Sequence, residues 1–314
     1  MERGEQESSL AVIILNWNHS SETLEALSRL RSWNKLNPQI IVVDNASSEH
    51  ERDILLDQAK GENIVLNSEN RGFAGGNNDG IRKALDEGCT YLLLLNVDAE
   101  VTEEVIVSLH SILENHPDIG IIGPLIQEGE RLYAGGRDIG IYSNTRIPFR
   151  HENMDEEVVT VDYVPGMVFL ARSDVFQKIG LLFEDFFFSG EIADFCRRCR
   201  YKGFSCALHT NGRAVHHVEG GKMRNLIYPY YTLRNRFLYI RRHARYMRAA
   251  LFARWLASGV FYGTIAFVRG NRGLACALYL AVKDGIHGTY GNQHERIRAE
   301  CHHCHSELEW NALA

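Results

Sequence analysis

From Gly220 to Lys283 the 314-residue chain has no aspartate or glutamate, although it contains 40 of them in all. The same stretch carries twelve lysines and arginines. The rest of the chain is left with 22 basic against 40 acidic residues, a balance of −18 within a net charge of −6. Such asymmetry points to an anionic partner for the basic segment: phosphate, an anionic membrane or nucleic acid. A disulfide framework is absent too. Seven cysteines form an odd set without regular spacing, which argues against a stapled secreted scaffold. The opening MERGEQESSL lacks the apolar core of a secretory leader. The thiols are therefore expected to be reduced and the protein to face the cytosol. No GxxxxGK(S/T) loop and no GxGxxG after the first strand are present, so P-loop and dinucleotide readings fail. The terminal CHHCH (Cys301 to His305) has no second cluster with which to complete a zinc site and reads as a polar tail.

What is present begins with apolar runs at Leu10–Leu15, Ile40–Val43, Ile64–Leu66 and Tyr91–Leu95. Helical patterns fall between them at Ser21–Leu30, Arg52–Ala59 and Asn77–Asp86, with another at Thr102–Leu113 that Thr102 is expected to cap. Strand alternating with helix predicts an α/β fold with a doubly wound, mostly parallel sheet. Pro124 to Met154 reads as loops and short strands. Regular structure is expected again from Tyr163, and SDVFQKIG reads as a short helix closed by Gly180. From Tyr228 the chain reads as helical, first basic and aromatic, then strongly apolar over Ala249–Val268 and Leu274–Val282.

Several polar groups stand where such a sheet binds ligands, at the carboxyl ends of its strands. Asp44 and Asn45 end the second strand, where a base and ribose would lie, unless the carboxylate only caps the next turn. NRGFAGGNNDG puts glycines 72, 75, 76 and 80 ahead of a helix; bare backbone at a helix start suits phosphate, and a plain turn is the alternative. NVD places Asn96 and Asp98 two residues apart after a sealed strand, on one face if the chain is still extended. A hard cation, Mg²⁺ or Mn²⁺, takes few protein oxygens together with substrate phosphates. Glu191 and Asp194 lie three apart on one helix face. A carboxylate next to Phe186, Phe187 and Phe188 suits a general base, whereas a helix-start acid and a surface ion pair are the plainer readings. His216 and His217 could ligate metal or simply pack. Arg234, set among aromatics, could clamp a diphosphate or snorkel along a membrane.

Taken in order, VIILNWN, IIVVDNASS, NRGFAGGNN, LLLLNVDAEV, the VPGMVFLARSDVFQKIGLLFEDFFFSGEIADFCRR stretch and HHVEGG…YYTLRNRF resemble family 2 glycosyltransferases. The similarity runs over roughly residues 10 to 245 and is nearest the rhamnosyltransferase-like branch that makes surface polysaccharide. It implies a GT-A fold, a nucleotide-diphosphate sugar donor, a divalent cation and inversion at the anomeric carbon. By position it places Asn16, Asp44, Asn45, Asn70, Arg71, Gly75, Gly76, Asn77, Asn78, Asn96, Gly166 and Arg234 around the nucleotide sugar. Asp98 and His217 would stand at the metal, with Asn96 where the family's first metal-motif aspartate is commonly replaced. One departure stands out. The family usually reads Glu-Asp-x-Asp where this chain reads Glu191-Ile192-Ala193-Asp194, so the aspartate normally proposed as base is missing. Glu191 is the preferred replacement and Asp194 the second choice; a non-catalytic sugar-nucleotide or lipid-carrier binding subunit is the alternative. A nucleotidyltransferase would need a phosphate loop where NWNHSSET stands. The expected organisation is a polar tail (1–9), a GT-A domain (10–225), a basic and apolar helical appendage (226–290) and a second polar tail (291–314). The appendage is expected to rest on the anionic inner face of the cell membrane, with a glycan or lipid-linked acceptor and no nucleic acid. The sugar, the acceptor and the linkage are expected to depend on the loops from Arg131 to Asp162.

Overall fold

The computed structural model describes residues 9–135, 147–148, 156–217 and 224–301. The CHHCH motif beyond Cys301 and the greater part of the 131–162 loops lie outside them. The described residues form two compact units. One comprises 9–135, 147–148, 156–182 and 192–217; the other comprises Phe183–Glu191 and 224–301.

The first unit opens with β1 (Leu10–Asn16), α1 (Ser20–Arg31), β2 (Gln39–Asp44), α2 (Glu49–Gln58), β3 (Asn63–Leu66), α3 (Gly72–Asp86) and β4 (Tyr91–Leu95). It continues through β5 (Ala99–Val101), α4 (Glu103–Asn115), β6 (Ile119–Glu128), β7 (Arg131–Ala134), β8 (Ile147–Pro148), β9 (Val158–Val161), β10 (Val168–Arg172) and α5 (Ser173–Ile179). Helix α6 (Glu191–Tyr201), from its second residue on, and β11 (Ser205–His216) complete it. The sheet runs β3-β2-β1-β4-β10-β6-β11-β5. Its first four strands are mutually parallel. Strand β10 is antiparallel to β4 and β6, while β6 and β11 are parallel. Period-2 alternation buries both faces. Leu10, Val12 and Ile14 meet Leu27, Leu30, Leu55, Ile106 and Leu109 on one side. Ala11, Ile13, Ile41 and Val43 meet Ala74, Ile81, Val175, Phe176 and Phe195 on the other. Both faces carry helices, as a doubly wound sheet requires.

Three departures from the sequence reading have local causes. Helix α3 begins at Gly72, not near Asn77. Glycine is a poor helix former, but a Cβ at Gly76 would lie 2.3 Å from Leu15 Cδ1, and one at Gly80 2.5 Å from Ile13 Cγ2. These glycines let the helix lie close on β1 and are no flexible loop. The ten-residue β6 runs through Pro124, which sequence alone counts against a strand. The pairing of β6 with β11 is interrupted just beyond the His209–Pro124 pair, so the missing N–H falls at an irregularity. At α4 the expected cap residue, Thr102, makes no side-chain capping bond. Glu103 instead accepts the backbone N–H groups of Asn34, Lys35 and Leu36.

The second unit is built from α7 (Arg224–His243), α8 (Arg248–Val268), α9 (Arg272–His287) and α10 (His294–Cys301), together with the 3₁₀ turn Glu184–Phe186. Its core joins Phe187, Tyr230, Tyr231, Phe237, Trp255, Leu280 and Ile297. Glycines again permit close approach: a Cβ at Gly259 would meet Val282 at 2.3 Å, and one at Gly285 would meet Phe237 at 2.4 Å. Helix α8 buries only the stripe Leu251, Trp255, Gly259, Gly263 and Ala266. Leu256, Val260, Phe261, Tyr262, Phe267 and Val268 are exposed. The arginines of α7 divide. Arg236 lies 4.1 Å over the Trp255 ring, and Arg241 bonds Ile286 O and Tyr290 Oη. Arg242, Arg245 and Arg248 are exposed.

Candidate active site

The ends of β1 and β2 form a dense polar corner. Asn16 Nδ2 donates to Asp44 Oδ1 (3.0 Å) and Ser47 Oγ (3.1 Å). Asp44 is fully buried and also faces Arg52 Nε at 3.0 Å and Ser47 N at 3.3 Å. Asn45 donates to Asn70 Oδ1 and Gly72 O and accepts from Asn67 Nδ2 and Arg71 N. Those four bonds use the full capacity of an amide side chain, so Asn45 shapes the turn at Asn70–Gly72. Asn70 and Arg71 are half-buried, and Arg71 Nη1 pairs with Asp79 at 2.6 Å. Gly75, Gly76, Asn77 and Asn78 are buried within α3. Asn77 Nδ2 bonds Phe73 O; Asn78 grips both backbone groups of Leu182, at 2.9 and 3.0 Å. Sequence reasoning had these four lining a nucleotide. The structure places them in helix packing and in docking the 179–182 segment.

Beyond β4 the chain is not extended. Asn96 N bonds Met167 O, and Ala99 N closes a turn on Asn96 O at 3.1 Å. Asn96 and Asp98 are thus presented by a turn, both half-buried. Asp98 Oδ2 lies 3.1 Å from His216 Nε2, and His216 Nδ1 lies 2.7 Å from Glu128 Oε1. His216 is buried, with 4 % of its side chain exposed. Burial alone disfavours its charged form, but Asp98 and then Glu128 outweigh burial and raise its pKa. The adjacent His217, expected at the metal, has an exposed side chain paired with Glu100 at 3.2 Å; only its backbone N–H reaches Asp98 O. The register of β11 on β5, His216 opposite Ala99, decides this. Glu128 is the member of this group that sequence reasoning missed; for the histidine, HH offered His216 and His217 as candidates but no phase.

Gly166 is covered by Ile192, whose Cγ1 would sit 2.8 Å from a Cβ there. Ile192 is itself buried in the core. The position where the resemblance implied an aspartate is therefore an apolar lid on Gly166. Asp194 is fully buried, 2.7 Å from Arg198 Nε, and Arg198 also donates to Ile179 O and Leu181 O. This is a buried pair, not the surface pair sequence suggested.

In the second unit Glu191 is 5 % exposed and begins α6. Of the three phenylalanines before it, Phe186 and Phe187 are buried and Phe188 is 37 % exposed. Arg234, expected at the diphosphate, is wholly buried and donates to Gly291 O, Asp185 O, Phe186 O and Asn235 Oδ1. It lies 4.6 Å over the Tyr231 ring.

The profile of glycosyl transferase family 2 matches residues 11–180. The chain belongs to this family. It is 29 % identical over 241 residues to the low-salt glycan biosynthesis hexosyltransferase Agl10 of Haloferax volcanii, covering 73 % of this chain and 74 % of that one. It is 24 % identical over 254 residues to the dTDP-rhamnosyl transferase RfbF of Shigella flexneri, covering 75 % and 81 %. Among solved structures it resembles GalNAc-T7 with UDP, GalNAc and Mn²⁺, with TM-score 0.58 at 17 % identity over 74 % of this chain. It spans about half, 48 %, of that structure's chain. The fold is GT-A, and the protein is a glycosyltransferase.

Within this glycosyltransferase the two acids of α6 therefore differ. Breaking a buried ion pair on one side typically costs about 3 kcal/mol. Asp194→Asn is expected to lower thermal stability by that order while the folded enzyme keeps most of its turnover. Lost turnover at unchanged stability would return Asp194 to the chemistry.

Proposed function

We propose that this glycosyltransferase moves a hexose or deoxyhexose, with inversion, from a nucleotide-diphosphate donor to a hydroxyl of a glycan or lipid-linked acceptor in surface polysaccharide synthesis. The observation that carries the reading is Asp98: a half-buried carboxylate at the end of a sealed strand, fixed from behind by His216 and Glu128. Donor contacts are assigned to the half-buried Asn70, Arg71, Asn96 and Asp98. The buried Asn16, Asp44 and Asn45 hold the surrounding turns in shape.

A divalent cation fits this donor set. Asp98 and Asn96 are hard oxygen ligands, and Asp98 has the hydrogen-bonded support that metal-binding carboxylates commonly have. Mg²⁺ or Mn²⁺ takes few protein oxygens, and water and substrate phosphates would complete its shell. Bound there, the ion would neutralise charge on the departing diphosphate. Glu191 is assigned as the base, because Ile192 is apolar and Asp194 is committed to Arg198. Its carboxylate takes the proton of the acceptor hydroxyl while that oxygen attacks the anomeric carbon. The bond from that carbon to the donor phosphate oxygen breaks, and the nucleoside diphosphate leaves. In Glu191→Gln, shape is kept and basicity lost. Turnover is expected to fall by about 10²–10⁴-fold, the usual share of a general base, with donor binding near wild type. Full turnover in that variant would reject the assignment.

Peripheral attachment to an anionic membrane on the cytosolic side is part of the proposal. Helix α8 is long and apolar enough to cross a membrane, yet only 28 % of its apolar window is buried. Arg245 and Arg248 precede its exposed apolar face, Arg269 and Arg272 follow it, and no acid interrupts Gly220–Lys283. Each basic group near an anionic surface contributes about 1 kcal/mol. The protein should float with anionic liposomes at low salt and release at high salt. Failure to float removes the claim, and retention through alkaline carbonate would replace attachment with a span.

A further inference from the structure

The backbone leading into Glu191 is unusual. Phe187 has φ +61° and ψ −57°, and Phe188 N bonds Phe186 O at 2.7 Å, closing a three-residue γ-turn of the rarer, strained sense. Ser189 follows at φ +71° and Gly190 at φ +108°. Three of the four residues Phe187–Gly190 thus hold positive φ, two of them bearing side chains. Such geometry persists only where the surroundings over-determine it, and it concentrates at functional sites.

The surroundings here are two adjacent side chains of α7. Arg234 Nη2 donates to Asp185 O (3.2 Å) and Phe186 O (2.8 Å), and its Nη1 donates to Gly291 O (2.7 Å). Asn235 Nδ2 reaches Phe186 O, Phe188 O and Ser189 O at 2.9, 2.8 and 2.6 Å. Arg234 Nε and Nη2 in turn hold Asn235 Oδ1 at 2.8 and 2.6 Å, which fixes which way that amide points. Phe187 stacks on Tyr231 with ring centroids 5.3 Å apart. A Cβ at Gly190 would lie 3.0 Å from the Phe186 ring, so the turn has no room for another residue there. A buried guanidinium is costly to keep, and this one is spent on carbonyls. Apart from Gly291, the carbonyls the pair grips all belong to the five residues Asp185–Ser189, and what those residues deliver is Glu191.

We propose that Arg234 and Asn235 are positioning residues: a buried clamp that holds the strained 185–190 turn and so sets the direction of the Glu191 carboxylate. This rests on reading Glu191 as the base, and it differs from a diphosphate contact by Arg234.

The test is a double-mutant cycle on the full chain with Asn235→Ala, Glu191→Gln and both together, read as kcat and donor KM, with amide hydrogen exchange over 184–191. Misaiming a reacting group costs up to about 10²-fold. Asn235→Ala should therefore lower kcat toward that extent, leave donor KM within about twofold, and speed exchange in the turn. Added to Glu191→Gln, it should cost nothing further, since groups acting as one unit are not additive. Multiplying losses in the double variant, or an unchanged kcat in Asn235→Ala, would overturn the clamp while leaving the base in place. Wild-type turnover in Glu191→Gln alone would instead overturn the base reading. Should Asn235→Ala not fold, Asn235→Ser, which keeps a short donor, is read in the same cycle.

Discussion

A carboxylate at the end of a strand sealed on both faces needs partners, and the partner chosen for Asp98 orders much of the first unit. Leu92–Leu95 are buried, so the chain can turn polar only past the edge of the sheet. There Asp98 meets His216, and His216 is held in turn by Glu128. The three groups come from the β4–β5 turn, β11 and β6, so the antiparallel addition of β5 to β11 is what brings them together. One carboxylate oxygen is braced from behind by an imidazole. Two acidic side chains thus share one histidine, the arrangement on which the proposed cation site rests.

The parallel half of the sheet was legible in the sequence because its strands are short apolar runs bounded by polar turns. Strand β4 fell where Tyr91–Leu95 placed it, and Asp98 stood out because nothing apolar explained it. The start of α3 was not legible. A run with Gly72, Gly75 and Gly76 reads as loop by propensity, and only the closeness of Leu15 and Ile13 makes glycine the right helix residue. The choice between His216 and His217 could not be read either. A one-residue change of phase exchanges the two faces of a strand, and the phase of β11 comes from pairing with β5 and β6. Arg234 was ambiguous for a similar reason, since composition does not tell a guanidinium facing substrate from one buried under its own turn.

Loss of the family's usual aspartate at position 192 looks different once its surroundings are known. Ile192 is part of the core and rests on Gly166. A carboxylate there would have to be desolvated against apolar neighbours. Packing stands at this position, where the family resemblance led to the expectation of chemistry. It keeps the acid one residue earlier, at the end of a turn whose backbone is held against its own preference. Family membership and fold point to an active transferase, and none of these observations favours a binding-only subunit.

Asp98 is proposed to mediate cation-dependent capture of the donor's diphosphate. Calorimetric titration of UDP, GDP and dTDP into the protein, with Mn²⁺ or with excess EDTA, tests it without requiring the acceptor. At least one nucleotide should bind only with Mn²⁺, and Asp98→Asn, which keeps the side chain's size, should weaken that binding by about tenfold or more. Equal affinity in EDTA, or in Asp98→Asn, would remove Asp98 from the donor site.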